Sequence, residues 1–211
     1  AYEIPKRDWS SDVCSSDLSF TWIIRAGVEV TPANPDIVYL ISGDSTFRWL
    51  YKSTNSADLF VFVSAYGQPS GTPNILGLFD NGGYGGANYQ VDYDLAFKVS
   101  PTNANQIYVG GLCVFSSSNG GQTWVKRSNY WNYPYCHPDI HDFAFSGNTV
   151  FVADDGGVYK QTVNGTGWTS VSNFTTTQIY CLSNGQLTHT DNYLVRTQDN
   201  GMRSEEHTSE L

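Results

Sequence analysis

Apolar and polar positions along this chain alternate in short runs and do not recur at the three-to-four-residue spacing of a helix face. Such runs occupy residues 93–100, 106–110, 113–116 and 123–128, then 141–146, 149–153, 157–161 and 168–172. Glycine, proline, asparagine, aspartate and serine separate them, which predicts antiparallel strands joined by tight turns. An earlier run ends at Val30 and a later one covers Asn192–Thr197. No apolar stretch reaches the ~18 residues that a membrane-crossing helix requires. The pattern is that of an all-β chain.

Within the pattern lies a repeat. Residues 31–40 (TPANPDIVYL) align without gaps on residues 100–109 (SPTNANQIYV). Downstream, Ser117, Asn119, Gly121, Thr123 and Trp124 fill the fixed positions of an octapeptide S-x-[DN]-x-G-x-[ST]-W. A worn copy keeps Ser53, Asn55 and an aromatic, Phe60; a further one keeps Gly165 and Trp168. Asp94-Leu95-Ala96-Phe97 returns as Asp142-Phe143-Ala144-Phe145. In the octapeptide, Asn119 and Ser117 can bond to backbone two residues on, and Gly121 can supply a positive φ. Trp124 opens the next strand and can bury about 200 Å2 between neighbouring sheets. The element is a turn clamp, not a catalytic device. Octapeptides in one register, with four strands to each, predict the blades of a β-propeller. A β-sandwich leaves the repeated turns without a reason.

Composition agrees. Among 211 residues, 15% are aromatic, 20 are glycine and one is methionine, which argues against a helical bundle. The net charge of −9 argues against a nucleic-acid partner bound through its phosphates. Residues 8–18 (DWSSDVCSSDL) and 203–211 (RSEEHTSEL) read as translated sequencing-library adapter. A non-native leader 1–18 and a tail 203–211 are therefore set apart from residues 19–202, which carry −5 once the ends are removed. Counting strands in that core gives about three and a half blades, near residues 19–64, 93–130, 139–174 and 177–202. A closed ring has at least four. The remaining blades of the same chain are thus expected partners, and this stretch alone is expected to leave apolar faces open and to be poorly soluble.

The octapeptide resembles the Asp-box, or BNR repeat, of sialidase-like, sortilin-like and xyloglucanase-like propellers. The order of Val99–Asn103, Ile107–Gly111, the octapeptide, His137–Asp142, Asp155–Tyr159 and Thr197–Gly201 is similar to that of secreted bacterial Asp-box propellers, often type IX secretion cargo. The resemblance covers residues 22–202. It implies a secreted or cell-surface scaffold that binds glycans or cell-surface ligands without a cofactor, or alternatively a glycoside hydrolase.

Propeller topology puts the octapeptide turns at one end and the between-blade connections at the other, where such folds hold ligands. That second end collects Trp131, Tyr133, Tyr135, His137, Asp139, His141, Asp155 and Asp199, with Asp44 and the Gly/Tyr-rich stretch 65–93. Rings beside carboxylates suit a sugar or a peptide; their competing use is to seal blade packing. His137, Asp139 and His141, at alternate positions, aim one way on an extended strand. A fourth zinc ligand is missing, so a hydrogen-bonded network, with Asp142 orienting the strand start, is the stronger reading and no metal is expected. Asp154-Asp155-Gly156-Gly157-Val158-Tyr159 resembles the D-x-G-G-x-Y segment of xyloglucan-cleaving propellers, which implies a catalytic role for Asp154. Asp94, Asp139 and Asp199 are candidates for the second carboxylate that glycoside hydrolysis needs, and a turn stiffened by Asp and Gly is an equally good reading of the segment. Sialidase chemistry is disfavoured, since Arg25, Arg48, Arg127 and Arg196 lack any Arg-Ile-Pro context. The core cysteines, Cys113, Cys136 and Cys181, show no CxxC spacing; if one pair is bridged after export, Cys113–Cys136 is the first candidate.

Overall fold

The structure, a computed structural model, describes residues 23–44, 46–77 and 90–171 in full, together with the backbone of three further strands between residues 179 and 206. Strands β1 (Arg25–Val30), β2 (Val38–Gly43), β3 (Phe47–Ser53) and β4 (Val61–Ser64) form the first sheet. The second holds β5 (Ala96–Val99), β6 (Ile107–Gly110), β7 (Val114–Ser117) and β8 (Val125–Lys126), and the third β9 (Ile140–Ser146), β10 (Thr149–Asp154), β11 (Gly157–Thr162) and β12 (Thr169–Ser170). A three-stranded sheet of β13 (Ile179–Asn184), β14 (Asn192–Thr197) and β15 (Met202–Glu206) follows. Within each sheet strands neighbour one another in chain order, all antiparallel. The first strands of successive sheets adjoin, β1 beside β5 and β5 beside β9. Meandering four-stranded sheets placed side by side through their first strands make a partial β-propeller.

β15 runs through residues 203–206, in the stretch set apart as a tail. It pairs in register with β14 from Arg196↔Met202 to Asn192↔Glu206. An edge strand of this kind needs backbone groups, not apolar side chains.

Cross-strand rows explain which face of each blade is buried. In blade one, Val28, Leu40, Tyr51 and Phe62 stand opposite one another; in blade two the same row is Phe97, Val109, Phe115 and Lys126. In blade three it is Phe143, Val152, Tyr159 and Ser170. Phe97 therefore corresponds to Phe143, so the two D-x-A-F copies lie two residues out of step. The cause is the β9–β10 hairpin, where Ser146 pairs with Thr149 across two loop residues; blades one and two have long turns there. The shift is even and keeps the same face inward.

Two cores result, each between adjacent blades. One joins Ile37, Tyr39, Ile41, Phe47 and Leu50 of blade one to Phe97, Val99, Ile107, Val109 and Phe115 of blade two. The other joins Ala96, Tyr108 and Val114 to Ile140, Phe143, Val150, Val152 and Trp168. Cys113 packs in the first core and Cys136 in the second, and both are thiols. The Cys113–Cys136 bridge is thus not formed: the two side chains serve different blade interfaces.

The octapeptide turns are built alike. In blade two, Ser117 Oγ donates to Asn119 Oδ1 (2.9 Å) and accepts from Gly121 N (2.8 Å), while Asn119 Oδ1 accepts from Thr123 N (3.0 Å). In blade one, Ser53 Oγ donates to Asn55 Oδ1 (2.7 Å), Ala57 N donates to Ser53 Oγ (3.0 Å) and Leu59 N to Asn55 Oδ1 (3.0 Å). The worn copy keeps these three bonds because Ala57 and Leu59 enter them through backbone N–H groups; the Asn119 Nδ2 to Thr123 Oγ1 bond (2.8 Å) has no counterpart at Leu59, and Ser56 and Ala57 take the left-handed conformation of Gly120 and Gly121. In the third copy Asn164 is left-handed, and Val163, where the asparagine is lost, donates its N–H to Asn148 O (2.9 Å). Middle amides of the other two turns likewise reach the first turn of their blade, Ser56 N to Asp36 O and Gly120 N to Asn105 O, both 2.9 Å.

The same turns fasten neighbouring blades. Ser64 Oγ at the end of β4 donates to Gly121 O (2.7 Å), and Trp124 Nε1 lies 3.5 Å from Ser64 Oγ. One blade on, Trp168 Nε1 donates to Arg127 O (3.0 Å), and the Arg127 guanidinium donates to Asn164 Oδ1 (3.1 Å). Replacing Gly121 (φ 91°) by alanine drives a Cβ into Leu50 Cδ2 and forces a side chain into the left-handed region. Gly121→Ala should cost about 2–4 kcal/mol of stability, read as a lower chemical-denaturation midpoint; an unchanged midpoint contradicts this account of the turn.

Candidate functional site

Between-blade connections and the turns between second and third strands meet at the end opposite the octapeptides. Ile140 N, opening β9, donates to Gly111 O of the β6–β7 turn (2.9 Å) and docks the third blade's start on the second. Just before it, Asp139 takes φ 64° and is buried. This kink breaks the extended geometry that His137, Asp139 and His141 need to aim alike. His141 Nε2 turns to Asp155 Oδ1 (2.6 Å), and His137 Nδ1 lies 3.1 Å from Pro138 O. Among the described residues no group of three His, Cys, Asp or Glu is gathered as metal ligands. Asp142 Oδ1 accepts from Phe143 N (2.8 Å) within its own strand.

Four carboxyls converge from three segments: Asp94 ahead of β5, Asp139 ahead of β9, and Asp154 and Asp155 where β10 turns into β11. Tyr93 sets its ring edge-on to His141 at 4.9 Å and brings its hydroxyl to 3.4 Å from Asp155 Oδ1. Burial, reinforced by the charge of Asp139 and a hydrogen bond to it, pushes the Asp94 carboxyl up to about 8. Burial, then the charges of Asp155 and Asp139, likewise raises Asp154 to about 8, against the pull of the Gly156 N–H that its Oδ1 accepts (3.0 Å). Oδ2 of Asp94 and Oδ2 of Asp154 are buried and make no hydrogen bond, surroundings that favour the neutral acid. Both shifts favour the protonated carboxyl toward neutral pH.

Beside the carboxyls opens a cavity of about 730 Å3 lined by Gln90, Tyr130, Trp131, Tyr135, His137, Pro138 and Asp139. Two of the rings stand mostly in water, Trp131 at 82% exposed and Tyr133 at 71%. Tyr130 and Trp131 stand 4.0 Å apart at 71°, and Tyr135 meets Tyr159 edge-on at 6.3 Å. Tyr133 lies against Gly167, where any side chain would collide with its ring. The structure thus brings Trp131, Tyr135, His137 and Asp139 to one cavity and gathers His141, Asp154 and Asp155 behind it. Asp44 stays in its own turn, bonded to Thr46 N (2.9 Å) and to Arg48 Nε (2.9 Å). Asp199 lies outside the described residues. Gln90 and Tyr93 were not singled out by sequence; their one signal is membership of the Tyr-rich connection.

Solved structures with a similar chain course include an ancestral GH74 enzyme (18% identity over 87% of this chain, TM-score 0.44) and the GH74 xyloglucanase from Xanthomonas campestris (15% over 81%, TM-score 0.47). YCF48 from Cyanidioschyzon merolae is similar at 11% identity over 86% of this chain, with a TM-score of 0.42. The chain spans 25% and 26% of the two GH74 structures and 56% of YCF48. No protein-family model and no curated protein matches the sequence.

Because the folded-state values of Asp94 and Asp154 stand above the ordinary 3.8, the folded chain holds two protons that the unfolded chain releases from about pH 4 upward. Their contribution to stability is complete below pH 4 and is lost as pH rises to about 8. The melting temperature should be lower at pH 9 than at pH 6 by at least about 4 °C, and Asp94→Asn with Asp154→Asn should flatten that slope. An equal slope in the double variant contradicts the assignment.

Proposed function

We propose that the chain belongs to an exported Asp-box propeller acting as a binding scaffold, and that the cavity at its mouth takes a carbohydrate. The observation that carries this reading is Trp131, an indole left in water beside Asp139 on the wall of a cavity large enough for a sugar unit or two. An aromatic ring covers the apolar face of a pyranose, while carboxylate, imidazole and amide groups, here Asp139, His137 and Gln90, bond to its hydroxyls. The shared hydrogen-bond plan of the turns at Ser53 and Ser117 supports the Asp-box assignment. The secreted or cell-surface setting rests on the same family resemblance.

A second reading, glycoside hydrolysis, is favoured by one feature: burial and the charges of Asp155 and Asp139 raise the Asp154 carboxyl to about 8, the direction a general acid requires. Asp139, on the cavity wall, is the carboxylate nearest to the role of its partner by position in the fold.

Titration calorimetry against a polysaccharide-derived oligosaccharide panel separates the two. Binding without release of reducing ends, weakened about tenfold or more by Trp131→Ala and untouched by Asp154→Asn, supports the scaffold. Turnover abolished by Asp154→Asn supports the hydrolase. Failure of every saccharide to bind at millimolar concentration contradicts both.

A further inference from the structure

The three segments that build the mouth, residues 90–97, 128–145 and 151–159, carry Asp92, Asp94, Asp139, Asp142, Asp154 and Asp155 and no lysine or arginine. Arg25 reaches the first of them from β1, where its guanidinium donates to the backbone carbonyls of Asp92 (3.2 Å) and Tyr93 (2.9 Å). The charges that act on Asp94 are those of Asp139 and Asp155, and the same two act on Asp154. Carboxyl therefore faces carboxyl across the seam. Asp94 and Asp154, 2% and 8% exposed, each keep Oδ2 without a hydrogen bond. Protons relieve part of this repulsion, and a cation brought to the same place relieves it as well.

The cavity gives such a cation its seat. Asp139 stands on the cavity wall and is hydrogen-bonded to Asp94 behind it. Tyr135, on the same wall, lies within the field of the third segment: burial, and after it the charge of Asp154, push its hydroxyl up. Tyr130, Trp131 and Tyr135 together put three electron-rich rings on this wall, and the face of such a ring attracts a cation, most strongly in tryptophan. Among the described residues no three of His, Cys, Asp and Glu converge as ligands of a metal ion. The negative charge is spread along a cavity of about 730 Å3, which suits an organic ammonium. An acidic sugar sets carboxylate against carboxylate here, and a neutral one leaves the field unanswered. We propose that the cavity selects an amino sugar, a pyranose whose free ammonium sits between the Asp139 carboxylate and the aromatic wall, with its hydroxyls on His137 and Gln90. The inference rests on the carbohydrate reading above and adds the charge of the sugar.

The test pairs two saccharides of one shape. The β-1,4-linked tetramers of glucosamine and of glucose differ only in bearing an ammonium or a hydroxyl at C2 of each unit. In titration calorimetry of the full chain at pH 7, where amines of this class are mostly charged, the glucosamine tetramer should bind at least about tenfold more tightly. Asp139→Asn and Asp155→Asn, both nearly isosteric, should each cut that preference at least about threefold. The ratio of the two affinities is insensitive to a general loss of folded protein, so a merely structural role does not move it. Equal affinities for the two tetramers overturn the proposal and leave the carbohydrate reading standing. A preference that neither variant changes overturns it as well, because the selectivity then has another source. Failure of both tetramers at millimolar concentration removes the carbohydrate reading and the proposal together, and binding of trilysine in that case assigns the cavity to a basic peptide.

Discussion

A blade of this protein has no core of its own. Its sheet is one strand-layer thick, and its apolar row is removed from water only when the next sheet lies on it. Placement of blade on blade is therefore the constraint from which the rest follows. The octapeptide turn sets that placement: its carbonyl at Gly121 accepts the Ser64 hydroxyl of the preceding blade, and the tryptophan that ends it reaches back across the same seam. At the next seam Trp168 and Arg127 repeat the arrangement with different partners, an indole on a backbone carbonyl and a guanidinium on Asn164.

The carboxyl cluster is a by-product of the same stacking. Connections that pass from one blade to the next deliver Asp94 and Asp139 to a seam already drained of water, where the β10–β11 turn adds Asp154 and Asp155. Four acids in that setting cannot all ionise, so two hold protons into the neutral range and a histidine leans on a third. Outside the seam, Trp131 and Tyr133 stand in solvent on the irregular segment between β8 and β9. The chemistry of the mouth thus divides into a dry acidic floor and a wet aromatic rim.

Strand positions and the blade plan were legible because they depend on alternation and turn residues, which are local. The third octapeptide copy was legible from Gly165 and Trp168 alone; where the asparagine is lost, the Val163 N–H donates to Asn148 O. Asp154 and Asp155 were visible through their glycines, and Trp131 through its aromatic neighbours. What stayed hidden depended on distance in the chain. Asp94 was only one of three candidate second carboxylates, because its proximity to Asp139 spans a whole blade. The positive φ of Asp139, which dissolves the His137–Asp139–His141 alignment, arises from docking on Gly111 and leaves no mark in composition. The cysteines were hidden for a similar reason: nothing in the residues around Cys113 and Cys136 says which seam each thiol enters.

Native-state hydrogen exchange tests the seam directly. If the turn clamps hold the blades as one cooperative unit, the Asn164 amide, bonded to the Tyr108 hydroxyl (2.9 Å), and the Trp168 indole N–H should exchange with an opening free energy within about 1 kcal/mol of the Val109 amide in the middle of β6. Exchange of both clamp protons through a low-energy local opening, with Val109 still protected, would show that the blades are held by apolar burial alone and that the turns merely decorate the rim.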